Sequence, residues 1–201
     1  TVFNTSLKES VKVSSHQISL KAFPSYSVRI PTIIYVCTEY LRAHGTESKG
    51  VFRVSGSLKR MQNLQLLFED TPKYGSNLDL KALGFTPFDV ANTLTRYLTS
   101  LVEPVIPNEL FHSFRSVLEQ ESVDTYKVEE YKKLLQSLEP DNLNLLLYLL
   151  DFFMEFNQYA DATLMPYSNL ASIFQPSILC LPEHVHLPEE YKKSQKVVEF
   201  L

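Results

Sequence analysis

One arginine, Arg53, stands between two glycines in the stretch Lys49-Gly-Val-Phe-Arg-Val-Ser-Gly-Ser57, after one run of helical periodicity and before another. Glycine reaches backbone angles closed to other residues. Gly50 and Gly56 are therefore expected to turn a short connection sharply at both ends and carry Arg53 outward. A guanidinium presented in this way is a planar fork of N–H donors, suited to a planar anionic target. Local features alone also allow a strand end, with Val51 and Phe52 plugging the core and Arg53 merely solvated. Other chemistry is sparse. His184 and His186 stand two apart beside Glu183, but no further ligands follow at a metal spacing, so an exposed loop and no metal are expected. His16, His44 and His112 are single, and no Ser or Cys lies in a nucleophile elbow. Glu119 and Glu121 read as surface carboxylates. There is no Gly-x-x-x-x-Gly-Lys-Ser/Thr phosphate loop. The expectation is a chain with no cofactor and no self-contained active site.

Helices must position Arg53. Pro31 falls in a first turn, where no amide partner is needed, and Ile33, Ile34, Cys37, Tyr40 and Leu41 recur at helical spacing up to a stop at Gly45. Ser57 suits the cap of a helix whose Leu58, Met61, Leu64 and Phe68 form one apolar stripe, with Lys59 and Arg60 on other faces and Thr71-Pro72 as its end. Lys73 to Leu83 reads as an ordered loop. Thr86, Pro87 and Asp89 make a variant capping box for a helix to about Leu101. Its core stripe is Ala91, Leu94, Leu98 and Leu101, while Asn92, Thr95, Arg96 and Thr99 fall mostly on another side. Helices are expected from about Asn108 to Gln120 and from about Val123 to Leu138. A long one from Pro140 to about Gln158, apolar on several sides, should be the central buried element. Another starts at Met165-Pro166 and ends at Gln175-Pro176, and a final helix follows Pro188. Thr1 to Tyr26 shows no sustained periodicity, though Ser6 to Val13 suits a turn or two of helix. The fold class is all-α, a single-domain bundle of about eight or nine helices without convincing strands.

The 201 residues are 44% hydrophobic and 21% charged, which suits a globular domain. A net charge of −4 argues against a nucleic-acid or polybasic membrane surface. The most apolar run, Leu143 to Phe156, is shorter than the roughly 20 residues of a membrane span. With no secretory signal, Cys37 and Cys180 read as reduced core thiols of a cytoplasmic protein. The absence of an initiator Met, and an end at Val197-Val198-Glu199-Phe200-Leu201 in what reads as mid-helix, predict a domain cut from a longer multidomain protein.

Gly50-Val51-Phe52-Arg53-Val54-Ser55-Gly56 resembles the Gly-Ile-Phe-Arg-x-Ser-Gly signature of the Rho GTPase-activating protein (RhoGAP) domain family. Asp89-Val90-Ala91 with Leu94, Tyr97-Leu98 and Leu101-Val102-Glu103-Pro104 is similar to the family's helix ending in Leu-Pro-Glu-Pro. Asn169-Leu170-Ala171-Ser172-Ile173-Phe174-Gln175-Pro176-Ser177 is similar to its Asn-Leu-Ala-x-x-Phe-Gly-Pro-Asn. The three occur in the same order over nearly the whole chain, and the phrasing around Lys59-Arg60 and Pro72-Lys73-Tyr74-Gly75 is most like fungal members.

The resemblance implies a monomeric helical domain, residues 1–201, that docks on a GTP-loaded Rho-family GTPase and inserts Arg53 in trans as an arginine finger, so accelerating hydrolysis as an activator of the GTPase and not as an enzyme itself. It implies partner contacts at Val54, Asn92, Thr95, Arg96, Thr99 and Ser177. A noncatalytic GTPase-binding or scaffold module of the same fold is the alternative. By the same alignment the family's usual Lys and Arg before Leu-Pro-Glu-Pro are replaced by Thr95 and Thr99, and its usual Asn by Ser177. Arg96 adjoins Thr95 but points about 100° around the helix.

Overall fold

The computed structural model describes all 201 residues, as ten α-helices and one β-hairpin. α1 (Leu7–Val13) leads into β1 (Ser15–Ser19) and β2 (Ser27–Pro31), then α2 (Thr32–His44), α3 (Leu58–Glu69) and α4 (Pro87–Ser100). α5 (Phe111–Glu119), α6 (Asp124–Gln136), α7 (Pro140–Asn157), the short α8 (Ala160–Thr163), α9 (Tyr167–Ile178) and α10 (Pro188–Phe200) complete it. No helix is long and apolar enough to cross a membrane.

α7 is the central element. Pro140 occupies its first turn, where the missing amide costs no hydrogen bond. Buried residues then occur on every side, from Leu145 and Leu146 through Tyr148, Leu149, Phe152 and Phe153 to Phe156. A helix apolar all round needs neighbours all round, and α1, β2 and α9 pack against it. α4 has a clearer division into faces. Val90, Ala91, Leu94, Tyr97 and Leu98 are buried, and α2, α3 and α9 pack against it.

Three details depart from the sequence reading. The segment read as lacking strands forms an antiparallel hairpin in which Ile18 pairs with Val28 and His16 with Ile30. Only β2 carries a period-2 signal, with Val28 and Ile30 buried, and the hairpin rests on α7 instead of standing alone. Its connecting loop is held by the Asp151 carboxylate of α7, which accepts from the amides of Lys21 at 2.7 Å and Ala22 at 2.9 Å. The apolar stripe expected on α3 is also shorter: Leu64 and Phe68 are buried, but Leu58 is 61% exposed. Finally, Gln175-Pro176 does not end α9, which runs one half-turn further, with Pro176 inside it and the Leu179 amide bonded to the Gln175 carbonyl at 2.9 Å. Pro176 has no N–H to donate to the Ser172 carbonyl, and the helix closes past it through Leu179.

Cys37 and Cys180 are free thiols, both buried.

Candidate functional site

The connection from α2 to α3 makes a tight, anchored projection. The Gly50 amide donates to the Thr163 carbonyl at the end of α8 over 2.7 Å, and the Gly50 carbonyl accepts from both Arg53 (2.9 Å) and Val54 (2.8 Å). Gly50 has φ +75° and Phe52 has φ +73°, the left-handed region that reverses a chain in few residues. As a result Val51 and Phe52 point inward and Arg53, Val54 and Ser55 outward. The Phe52 ring meets those of Phe174 at 5.3 Å, Phe156 at 5.8 Å and Phe152 at 6.3 Å, all edge-on, an arrangement favoured by the ring quadrupoles. The plug foreseen for Val51 and Phe52 exists, but in a turn and not a strand, and it fixes where the next residue emerges.

Arg53 is exposed and its guanidinium makes no hydrogen bond within the chain. Arg42, Arg60 and Arg115, by contrast, each pair with carboxylates.

The far end of the projection sits on the first turns of α4. The Gly56 amide donates to Asn92 Oδ1 at 2.7 Å and the Ser57 amide to Asp89 Oδ1 at 2.8 Å. A Cβ on Gly56 would lie 2.5 Å from Asp89 Oδ1 and 2.7 Å from its backbone N. The glycine is needed here for close approach to a helix, not for a turn. The expected capping box is present: the Asp89 amide donates to Thr86 Oγ1, and the Thr86 amide to Asp89 Oδ2 at 2.9 Å. Sequence reasoning missed the rest of what Asp89 does. Its fully buried carboxylate also accepts from Arg60 Nε of α3 at 2.6 Å, so one side chain joins the loop end, α3 and α4.

Among the other residues singled out, Val54 is 47% exposed. Thr95 is half-buried, and Arg96 and Thr99 are exposed. The Thr95 hydroxyl donates to the Asn92 carbonyl at 3.0 Å and the Thr99 hydroxyl to the Thr95 carbonyl, so both turn back onto their own helix. Ser177 differs from the others, being only 6% exposed. Its carbonyl accepts from the Val105 amide, and that of Ile178 from the Ile106 amide, each at 2.9 Å. These two bonds clip the segment after α4 to the end of α9. Together with the Phe52–Phe174 and Gly56–Asn92 contacts, they bring residues of all three sequence motifs side by side.

The histidines lie elsewhere: the His184 ring packs edge-on against Phe111 at 5.2 Å, with Nδ1 3.8 Å from a Glu190 carboxylate oxygen.

Burial would raise the Asp89 pKa, but hydrogen bonds from Arg60, Thr86 and Ser57 outweigh it and hold the carboxylate below its ordinary value. A group whose pKa is depressed on folding adds stability above its unfolded value of about 4, and that stability is lost as pH falls through the folded value. Wild type should therefore exceed Asp89→Asn in unfolding free energy near pH 7, and urea titrations should show the gap closing as pH drops below about 4. A gap that did not change with pH would mean that the Asp89 charge contributes nothing to the joint.

A predominantly helical domain that holds a free arginine out on a braced turn defines the class. Residues 31–183 match the RhoGAP domain, and the chain belongs to that family. It is 35% identical over its full length to the Saccharomyces cerevisiae Rho-GTPase-activating protein BAG7, covering 50% of that protein. To the Schizosaccharomyces pombe Rho-GTPase-activating protein 5 it is 37% identical, again over its full length and 56% of the relative. The human Rho GTPase-activating protein 24 is 33% identical over 74% of this chain and 19% of its own. The chain thus spans about half the length of the two fungal relatives, which have the higher identities of the three. Human Rho GTPase activating protein 15 has the same fold, with a TM-score of 0.78 at 20% identity over all of this chain and 88% of that one.

The expectation that the chain is not an enzyme is corrected by this match. Membership of the RhoGAP domain family implies catalytic GTPase-activating function.

Proposed function

We propose that the domain accelerates GTP hydrolysis by a Rho-type small GTPase, engaging the GTP-bound form and placing Arg53 in trans at the phosphates. The observation that carries this reading is a guanidinium with no partner of its own, on a turn anchored at both ends. Phosphoryl transfer spreads developing charge over the phosphoryl oxygens and the leaving group. A fork of donors brought to that charge stabilises the transition state more than the ground state, and only such differential binding speeds the chemical step. Orientation matters as much as charge, and a turn plugged by Phe52 supplies it. The exposed Val54, next to Arg53 in the chain, and Leu58, which opens α3, add apolar surface of the kind a protein partner covers. Val54, Thr95, Arg96 and Thr99 are the proposed contact positions, with Ser177 contributing only its small accessible edge.

The deciding experiment is phosphate release from GTP-loaded Rho, Rac and Cdc-type GTPases, with and without catalytic amounts of the domain. Acceleration of any one is expected. A second reading, a noncatalytic binding module, is favoured by one observation, the inward-turned hydroxyls of Thr95 and Thr99. GTP-dependent binding with no acceleration across the panel would select it.

A further inference from the structure

We propose that Asn92 is the positioning residue of the Arg53 turn, acting through the Gly56 amide, with the Asp89–Arg60 pair as its support; the inference rests on the reading of Arg53 as the residue offered to GTP. From Gly50 to Ser57 the chain is held at three places. Gly50 is tied to Thr163, Phe52 is plugged among three aromatic rings, and Gly56 and Ser57 are bonded to α4. The exposed Arg53, Val54 and Ser55 span the gap between the second and third anchors. The direction in which Arg53 leaves the surface thus depends on both.

The third anchor is the one that side chains of α4 control. Thr95 and Thr99 spend their hydroxyls on their own helix, and Arg96 faces solvent. That leaves Asp89 and Asn92 as the α4 side chains that bond the turn. Their roles differ. Asp89 is fully buried and serves the helix cap, Ser57 and Arg60 together, so its removal disturbs the fold at large. Asn92 is half-buried, its Oδ1 accepts from Gly56 at 2.7 Å, and its side chain makes no other hydrogen bond within the chain. Gly56 lies so close to Asp89 that a methyl group would not fit between them. The turn is thus pressed onto the helix, and the Asn92 bond sets how it is oriented there. The sequence reading placed Asn92 among the partner contacts; the geometry points inward, toward the turn.

The test separates an acceptor that braces from a donor that touches a partner. Asn92→Ala removes both functions, whereas Asn92→Asp keeps an acceptor oxygen for Gly56 and loses the NH₂ group. Single-turnover hydrolysis is measured against a GTPase that wild type stimulates, as a function of domain concentration. Asn92→Ala should lower the maximal rate about 10- to 100-fold, the scale for a small misplacement of a catalytic group, with half-saturation nearly unchanged. Asn92→Asp should restore most of that rate. In the free domain, hydrogen exchange at the Gly56 amide should be faster in Asn92→Ala than in wild type or Asn92→Asp. Equal maximal rates for wild type and Asn92→Ala would overturn the brace, as would a weakened half-saturation shared by both variants. Wild type that stimulates no GTPase would sink the functional reading itself, and that result is distinguishable from either of these.

Discussion

Arg53→Ala is expected to remove nearly all stimulation of GTP hydrolysis while leaving the fold unchanged. In the Ras system a trans-acting arginine raises the rate by about 10³ to 10⁵, which corresponds to about 4 to 7 kcal/mol of barrier. A loss on that scale is large because nothing else on the turn replaces the guanidinium: Val54 is apolar and Ser55 is neutral. The fold should be indifferent, since Arg53 is exposed and bonds to no other side chain, and surface substitutions away from caps and networks usually stay within about 0.5 kcal/mol. Arg53→Lys should fail almost as badly, because an ammonium is a point charge without the planar fork. Phosphate release and urea unfolding on the same preparations check both halves. Stimulation by Arg53→Ala within a fewfold of wild type would refute the finger. A large loss of stability would mean that the arginine has a structural role that the geometry does not predict.

How much of this was legible beforehand follows the range of the forces involved. The Thr86 and Asp89 capping box was readable because both partners lie within one turn of helix, and it stands as expected. The buried length of α7 was readable because a helix apolar on several sides has one kind of environment available to it. Arg53 was legible as a projecting cation from two flanking glycines, although only Gly50 acts by its backbone angle. The demand on Gly56 comes from a helix more than thirty residues away, and no local pattern encodes that distance. For the same reason Asp89 read as a cap, and Arg60 only as a residue off the apolar stripe of its helix, although they form one joint in space. The hairpin was missed because β1 offers Ile18 alone as a strong apolar signal, and its place is set by α7, remote in sequence.

Phe52→Ala should be the most damaging substitution for stability among the residues of the turn. The ring is 5% exposed and edge-on to three others, and truncating a buried phenylalanine costs about 3 to 5 kcal/mol. A typical domain has only about 5 to 15 kcal/mol in total. The backbone makes the position more informative still. Phe52 sits at φ +73°, where a bulky side chain costs roughly 1 to 3 kcal/mol and persists only if its surroundings over-determine it. Here the aromatic cluster does so, which means that burial of the ring holds the turn in its left-handed form. Alanine would keep the backbone penalty and lose the burial. Glycine would lose the burial but tolerate the angle, so Phe52→Gly should be less destabilised than Phe52→Ala by roughly 0.5 to 1 kcal/mol, contrary to the usual ranking of the two in ordered structure. Both should also stimulate hydrolysis poorly, because Arg53 is the next residue and its direction depends on the plug. Urea unfolding of the three proteins, with slopes compared to confirm a common denatured state, gives the order directly. If Ala proves more stable than Gly, the turn is held by its hydrogen bonds to Gly50 and Thr163 in another backbone form once the ring is gone, and the ring is not what sets the angle.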